Sequence, residues 1–146
     1  MNSKKIIDKI KRYSISAKKF YGQNFLFDEN ILKKIIEKSN IKEKINILEI
    51  GPGPGALTQE ILKSNVNEVF VIEKDKDLLP LLEDIKKSFP NKLNIIFEDA
   101  LNFDIRKLNY NPFKIISNLP YNISTVLLIK WLTTDICNTS CISLTL

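Results

Sequence analysis

At 146 residues, 44% hydrophobic and 27% charged, the chain has the size and make-up of one ordinary globular domain, and no apolar run nears the roughly 18 residues of a membrane span. His is absent and Cys occurs only at Cys137 and Cys141, which excludes Ser-His and Cys-His nucleophilic catalysis and an ordinary Cys/His zinc site, so no metal is expected. The net charge of +5 is uneven: residues 1–44 carry 12 Lys/Arg against 5 Asp/Glu and the rest 10 against 12, which points to a polyanion bound at one end.

The first residues, MNSKKIIDKIKRYS, lack the apolar core of a secretory signal, and a cytoplasmic location is expected. Ile6, Ile7 and Ile10 share one face among lysines, as in a short basic amphipathic helix or a mobile arm. KKFYGQNFL (18–26) follows, aromatic-rich and broken by Gly22. Asp28 can cap a helix whose apolar face is Ile31, Leu32, Ile35 and Ile36, before a polar loop over 39–44. Strands and helices then alternate. Strands are expected at 45–50, 68–72, 93–97 and 113–117, helices at about 56–64, 76–88 and 123–134, and a fifth strand at 141–146. That alternation predicts an α/β fold with a doubly wound parallel sheet of about five strands.

In such sheets ligands bind beyond the C-terminal strand ends. The first strand runs into Glu49-Ile50-Gly51-Pro52-Gly53-Pro54-Gly55, where glycines allow a sharp turn and close approach of a ligand. The second ends at Glu73, where a carboxylate can accept the hydroxyl protons of a ribose. These two features fit a nicotinamide-dependent dehydrogenase equally well, because Gly51-x-Gly53-x-x-Ala56 also matches the dinucleotide pattern. Asp99, after the third strand, could accept a hydrogen bond from an adenine amino group, although taken alone a solvated acid is the plainer reading.

The fourth strand closes with Asn118-Leu119-Pro120-Tyr121, for which the dehydrogenase reading has no use. An aromatic amine is a poor nucleophile because its lone pair is delocalised into the ring. The Asn118 side-chain oxygen and the Leu119 carbonyl are acceptors able to hold the two amino protons and free that lone pair. Pro120 lacks an N–H and stiffens the turn. Tyr121 offers a ring on which an extruded base can stack, worth about 1–3 kcal/mol.

Taken together, KKFYGQNFL (18–26), LEIGPGPGALT (48–58), IEKD (72–75), EDAL (98–101) and NLPYNIST (118–125) resemble, in order and across nearly the whole chain, the KsgA family of small-subunit ribosomal RNA adenine dimethyltransferases, relatives of the Erm enzymes. The resemblance implies a Rossmann-like class I S-adenosylmethionine-dependent methyltransferase fold. It implies contacts to S-adenosylmethionine from Asn24, Leu26, Gly51, Glu73, Asp99 and Asn118, and contacts to the target adenine from Asn118, Leu119 and Tyr121. It further implies direct methyl transfer to N6 of an unstacked adenine, N6,N6-dimethylation of adjacent adenines near the 3′ end of small-subunit rRNA, and a monomer that meets the 30S subunit without metal or membrane.

Residues 1–27 are then a basic arm with a cofactor-contacting segment, and residues 28–146 the S-adenosylmethionine-binding domain. Members of that family are longer. The resemblance therefore implies a chain that stops inside strand five, as a fragment or the product of a frameshifted gene, without the closing strands and the small helical C-terminal domain. Two alternatives stand beside this reading: an Erm-type large-subunit rRNA methyltransferase, and a non-catalytic RNA-binding remnant.

Overall fold

The computed structural model describes residues 3–13, 26–41, 44–108, 113–119, 121–133 and 141–145. The strands are β1 (Asn46–Ile50), β2 (Val69–Glu73), β3 (Leu93–Phe97), β4 (Phe113–Asn118) and β5 (Cys141–Thr145). The helices are α1 (Ser3–Arg12), α2 (Glu29–Lys38), α3 (Ala56–Lys63), α4 (Leu79–Ser88) and α5 (Tyr121–Thr133). All strand pairs are parallel, in the order β3-β2-β1-β4-β5. The chain thus builds outward from β1 to β3, returns, and continues from β4 on the other side of β1. The reversal places the loops after β1 and β4 next to each other, at the point where open α/β sheets bind ligands.

Strands β1, β2 and β4 are buried almost throughout, the polar Glu49, Lys114 and Ser117 included, because the sheet is covered on both faces. On one face Ile47, Val69, Val71, Leu93 and Ile116 pack with Leu32 and Ile35 of α2, Leu57, Ile61 and Leu62 of α3, and Leu81, Leu82 and Ile85 of α4. The alternate strand residues Leu48, Ile50, Phe70, Ile72 and Ile115 face the other way. They meet Leu127 and Trp131 of α5 together with Phe103, Ile105 and Leu108. Among the described residues no helix is long and apolar enough to cross a membrane.

The N-terminal segment forms a helix over Ser3–Arg12 that docks on the first face through buried Ile10. Asp84 of α4 fastens it: the Tyr13 hydroxyl donates at 2.8 Å and the Lys9 ammonium lies 3.2 Å away. Hydrogen bonds from Lys87 and Tyr13, with Lys9 beside them, hold the Asp84 carboxyl well below the usual carboxylate range. Asp28 caps α2 as expected, accepting from the Asn30 and Ile31 amides at 2.8 and 3.3 Å. Ile31 departs from the expected apolar face and is exposed. The buried stripe runs through Leu32, Ile35 and Ser39, which leaves Ile31 on its flank.

Element boundaries elsewhere lie close to those expected, with three differences. The helix expected from 76 begins as a 3-10 turn, Lys76–Leu78, before α4, whose first turn accommodates Pro80. A second 3-10 turn, Ile105–Leu108, buries two apolar residues that short spacing alone did not reveal. Helix α5 starts at Tyr121, two residues earlier than expected, so Tyr121 opens a helix instead of closing a loop.

Candidate cofactor and target-base site

The glycine loop after β1 is held open by backbone geometry. Gly51, Gly53 and Gly55 have φ of 62°, 58° and 82°, the left-handed region that side chains disfavour. The Gly51 amide donates to the Ile72 carbonyl at 2.9 Å, which ties the loop to β2. Gly55 opens α3 against α4, where a Cβ would overlap the Ile85 side chain.

Glu73, the last residue of β2, is 6% exposed. One carboxylate oxygen accepts from the amides of Lys74 (2.9 Å) and Asp75 (2.8 Å), and the other accepts from the Gly53 amide at 3.2 Å. Burial raises its pKa, and the three amides act against that rise. Glu73 therefore links the glycine loop to the β2 turn, and the oxygen that holds a single long hydrogen bond retains accepting capacity for a hydroxyl.

The line continues to Asp99. Lys74 reaches Asp99 Oδ2 at 3.2 Å, and Asp99 Oδ1 accepts from the Leu101 amide at 3.0 Å. The Leu101 hydrogen bond, with Lys74 beside it, keeps the Asp99 carboxyl below its ordinary range, so it is an anionic acceptor at neutral pH. Gly53, Glu73, Lys74 and Asp99 thus form one connected chain of contacts across β1, β2 and β3.

On the other side of the switch point Asn118 ends β4, half-buried and paired in register with Thr145 of β5. Leu119 is buried, and its side chain lies where a Cβ on Gly51 would touch it at 3.5 Å. The structure therefore brings together Gly51, Glu73, Asp99, Asn118 and Leu119 at one edge of the sheet. Leu26 packs instead, partly buried, against the hydrophobic core shared with α2, α3 and α4. Asn24 lies outside the described residues, and of Tyr121 only the backbone, at the start of α5, is described.

Two buried polar residues near the site had no role assigned from sequence. Glu49, 1% exposed, accepts from the Thr58 hydroxyl at 2.6 Å and has its pKa pushed up to about 8, chiefly by burial. It braces β1 against the first turn of α3 directly beneath the glycine loop. A carboxylate inside an otherwise apolar strand is the signal that could have found it. Ser117 accepts the Ile50 amide at 2.7 Å, closing the end of β1 against β4. No local pattern marks that contact, which spans 67 residues.

The ribosomal RNA adenine dimethylase family matches residues 14–145. The chain is 45% identical over 125 residues to the ribosomal RNA small subunit methyltransferase A of Rhizobium meliloti, covering 86% of this chain and 46% of that one. It is 50% identical over 128 residues to the protein of the same name from Bartonella bacilliformis, with the same two coverages. The chain thus spans slightly less than half the length of these curated relatives.

Among solved structures it resembles the 23S rRNA methyltransferase ErmE, with a TM-score of 0.66 and 27% identity over 77% of this chain and 44% of that one. It also resembles a dimethyladenosine transferase from Plasmodium falciparum, with a TM-score of 0.61 and 28% identity over 74% and 38%. The sheet order and these likenesses make the fold that of the class I methyltransferases, and the chain belongs to the ribosomal RNA adenine dimethylase family.

Proposed function

We propose that this chain is the S-adenosylmethionine-binding and base-accepting part of a small-subunit ribosomal RNA adenine-N6,N6-dimethyltransferase. The observation that carries the reading is the contact between the two halves of the site. The β1 loop and the β4 turn meet at Gly51 and Leu119, so a cofactor on the first lies beside a base on the second. The chemistry of the donor set fits S-adenosylmethionine: a loop whose backbone is bare at Gly51, Gly53 and Gly55, a buried ribose acceptor at Glu73, and an anionic purine acceptor at Asp99. Asn24, Leu26 and Asn118 complete the proposed cofactor set.

S-adenosylmethionine supplies an electrophilic methyl group on a sulfonium. The protein contributes positioning and electrostatics and forms no covalent intermediate with the base. Asn118, through its side-chain oxygen, and Leu119, through its carbonyl, accept hydrogen bonds from the target amino group and leave its lone pair directed at the methyl group. As the N–CH3 bond forms the S–CH3 bond breaks, S-adenosylhomocysteine leaves, and the methylated nitrogen gives up one proton to solvent. Tyr121 stacks the unstacked adenine. The basic residues of 1–27 form the arm that meets rRNA phosphates, and residues 28–146 hold the cofactor. The partner is the 30S subunit in the cytoplasm, and the protein acts as a monomer. Small-subunit RNA is favoured over an Erm-type large-subunit target because identity to the small-subunit enzymes is 42–50%, against 27% to ErmE.

The test is transfer of labelled methyl groups from S-adenosylmethionine to unmethylated 30S subunits. Asn118→Ala and Tyr121→Ala are each expected to lower the rate at least about tenfold, the loss of one or more transition-state contacts. A rate left untouched by both would show that the site is elsewhere. Subunit binding without cofactor affinity would instead favour an RNA-binding remnant.

A further inference from the structure

The turn that carries Asp99 is fixed from both ends. At its start the Asp99 carbonyl accepts the amides of Asn102 (2.9 Å) and Phe103 (3.0 Å), while its carboxylate takes the Leu101 amide and the Lys74 ammonium. At its far end the carbonyls of Leu101 and Phe103 point outward, and both are taken by one side chain. Lys130 of α5 donates to them at 2.8 and 3.0 Å. Its helix is anchored independently, because the neighbouring Trp131 is 1% exposed and Leu127 is fully buried in the core that also holds Phe103. Lys130 thus clamps a short turn to a rigid element, across 27 to 29 residues of sequence. That element is also the helix that begins at Tyr121, immediately after Asn118-Leu119.

We propose that Lys130 is a positioning residue for cofactor selectivity: by holding the Leu101 and Phe103 carbonyls it fixes the Asp99 carboxylate where a purine 6-amino group must donate to it. The proposal rests on the reading of Asp99 as the purine acceptor. An ammonium shared between two carbonyls is charge-assisted, and its removal leaves both oxygens to water and frees the turn to shift. An acceptor displaced by a few tenths of an ångström loses most of its discrimination while ribose and methionine contacts are kept. The effect should therefore fall on purine identity and spare general affinity.

The test is calorimetric titration of the chain with S-adenosylhomocysteine and with S-inosylhomocysteine, in which an oxo group replaces the 6-amino group. Wild type should prefer the adenosyl ligand by about tenfold or more, the usual size for one well-placed hydrogen bond to a charged group. Lys130→Met should weaken the adenosyl ligand by about fivefold, leave the inosyl ligand within about twofold, and so collapse the preference, while Lys130→Arg restores most of it. Hydrogen exchange at the Asn102 and Phe103 amides should accelerate in Lys130→Met and recover in Lys130→Arg.

Wild-type selectivity in Lys130→Met, or equal loss of both ligands, would overturn the proposal. Wild type that does not distinguish the ligands, with Asp99→Ala unchanged from it, would instead overturn the reading of Asp99, and the exchange data would still report whether Lys130 holds the turn. Should Lys130→Met fail to fold, Lys130→Gln, which is uncharged and shorter, takes its place with the same expected direction.

Discussion

Glu49 shares the interior of β1 with leucine and isoleucine, and the Thr58 hydroxyl donates a hydrogen bond to its carboxyl group. Desolvation costs the ionised form more than one hydroxyl returns, so the carboxyl keeps its proton to about pH 8 in the folded protein, against an ordinary value of 4.5. The folded pKa lies above the unfolded one, so the stabilisation is complete below about 4.5 and is lost as pH rises to about 8. Within that window stability should fall by about 1.4 kcal/mol per pH unit from this group. Glu49→Gln keeps an acceptor for Thr58 and cannot ionise. Denaturant melts of the variant should show this slope removed and, above pH 8, a more stable protein than wild type. An unchanged slope would mean that Glu49 is ionised in the folded state. A neutral brace under the glycine loop leaves Glu73 and Asp99 as the carboxylates of the proposed cofactor site.

At the level of elements, the β1–loop–α3 unit shows what a strand-end motif requires of its packing. Gly55 combines a φ of 82° with the close approach of Ile85 and Leu82 from α4. Gly55→Ala meets both constraints, and a loss of about 2–4 kcal/mol in chemical denaturation is expected, more than backbone strain alone gives. Gly51 has room for a Cβ against Leu119 and only its φ constrains it, so the two glycines are held by different forces.

This unit was legible in the sequence because its information is local: an apolar run, a Gly/Pro loop, and a helical apolar face at Leu57, Ile61 and Leu62. The ends of β2 and β4 were legible for the same reason. Tyr121 was displaced from loop to helix because a proline just before a helix is well tolerated at its first turn, where an amide has no partner to lose. Contacts between distant elements left no local mark. Lys114 of β4 is buried and donates to the Ser39 and Asn40 carbonyls at the end of α2, and its role depends on where α2 stops. Ser117 with Ile50, and Lys130 with the Asp99 turn, are long-range pairs of the same kind. The strand-end residues proposed as acceptors stand out in the sequence, whereas the residues that hold those strand ends in place do not.

Across the whole molecule, the parallel sheet brings the C-terminal ends of β1 to β4 to one edge, and α1 joins the layer of α2, α3 and α4 through Ile10 and Asp84. The basic helix α1 is thereby attached to the body of the sheet, as the proposed rRNA-binding role of the N-terminal region requires. The glycine loop and Glu73 are common to several nucleotide-binding proteins. Asn118-Leu119-Pro120-Tyr121 stands at the end of β4, with the Leu119 side chain against Gly51, and the dehydrogenase reading has no use for it. The reading of this site as one for S-adenosylmethionine and not for a dinucleotide is tested most directly by calorimetric titration of the 146-residue chain and its Glu73→Ala variant with S-adenosylmethionine, and in parallel with NADH. Saturable binding of S-adenosylmethionine to the wild type, weakened at least about tenfold in Glu73→Ala through loss of the ribose acceptor, is the predicted result, with no heat from NADH. A cooperatively folded wild type that ignores S-adenosylmethionine, or binds NADH in its place, would contradict it.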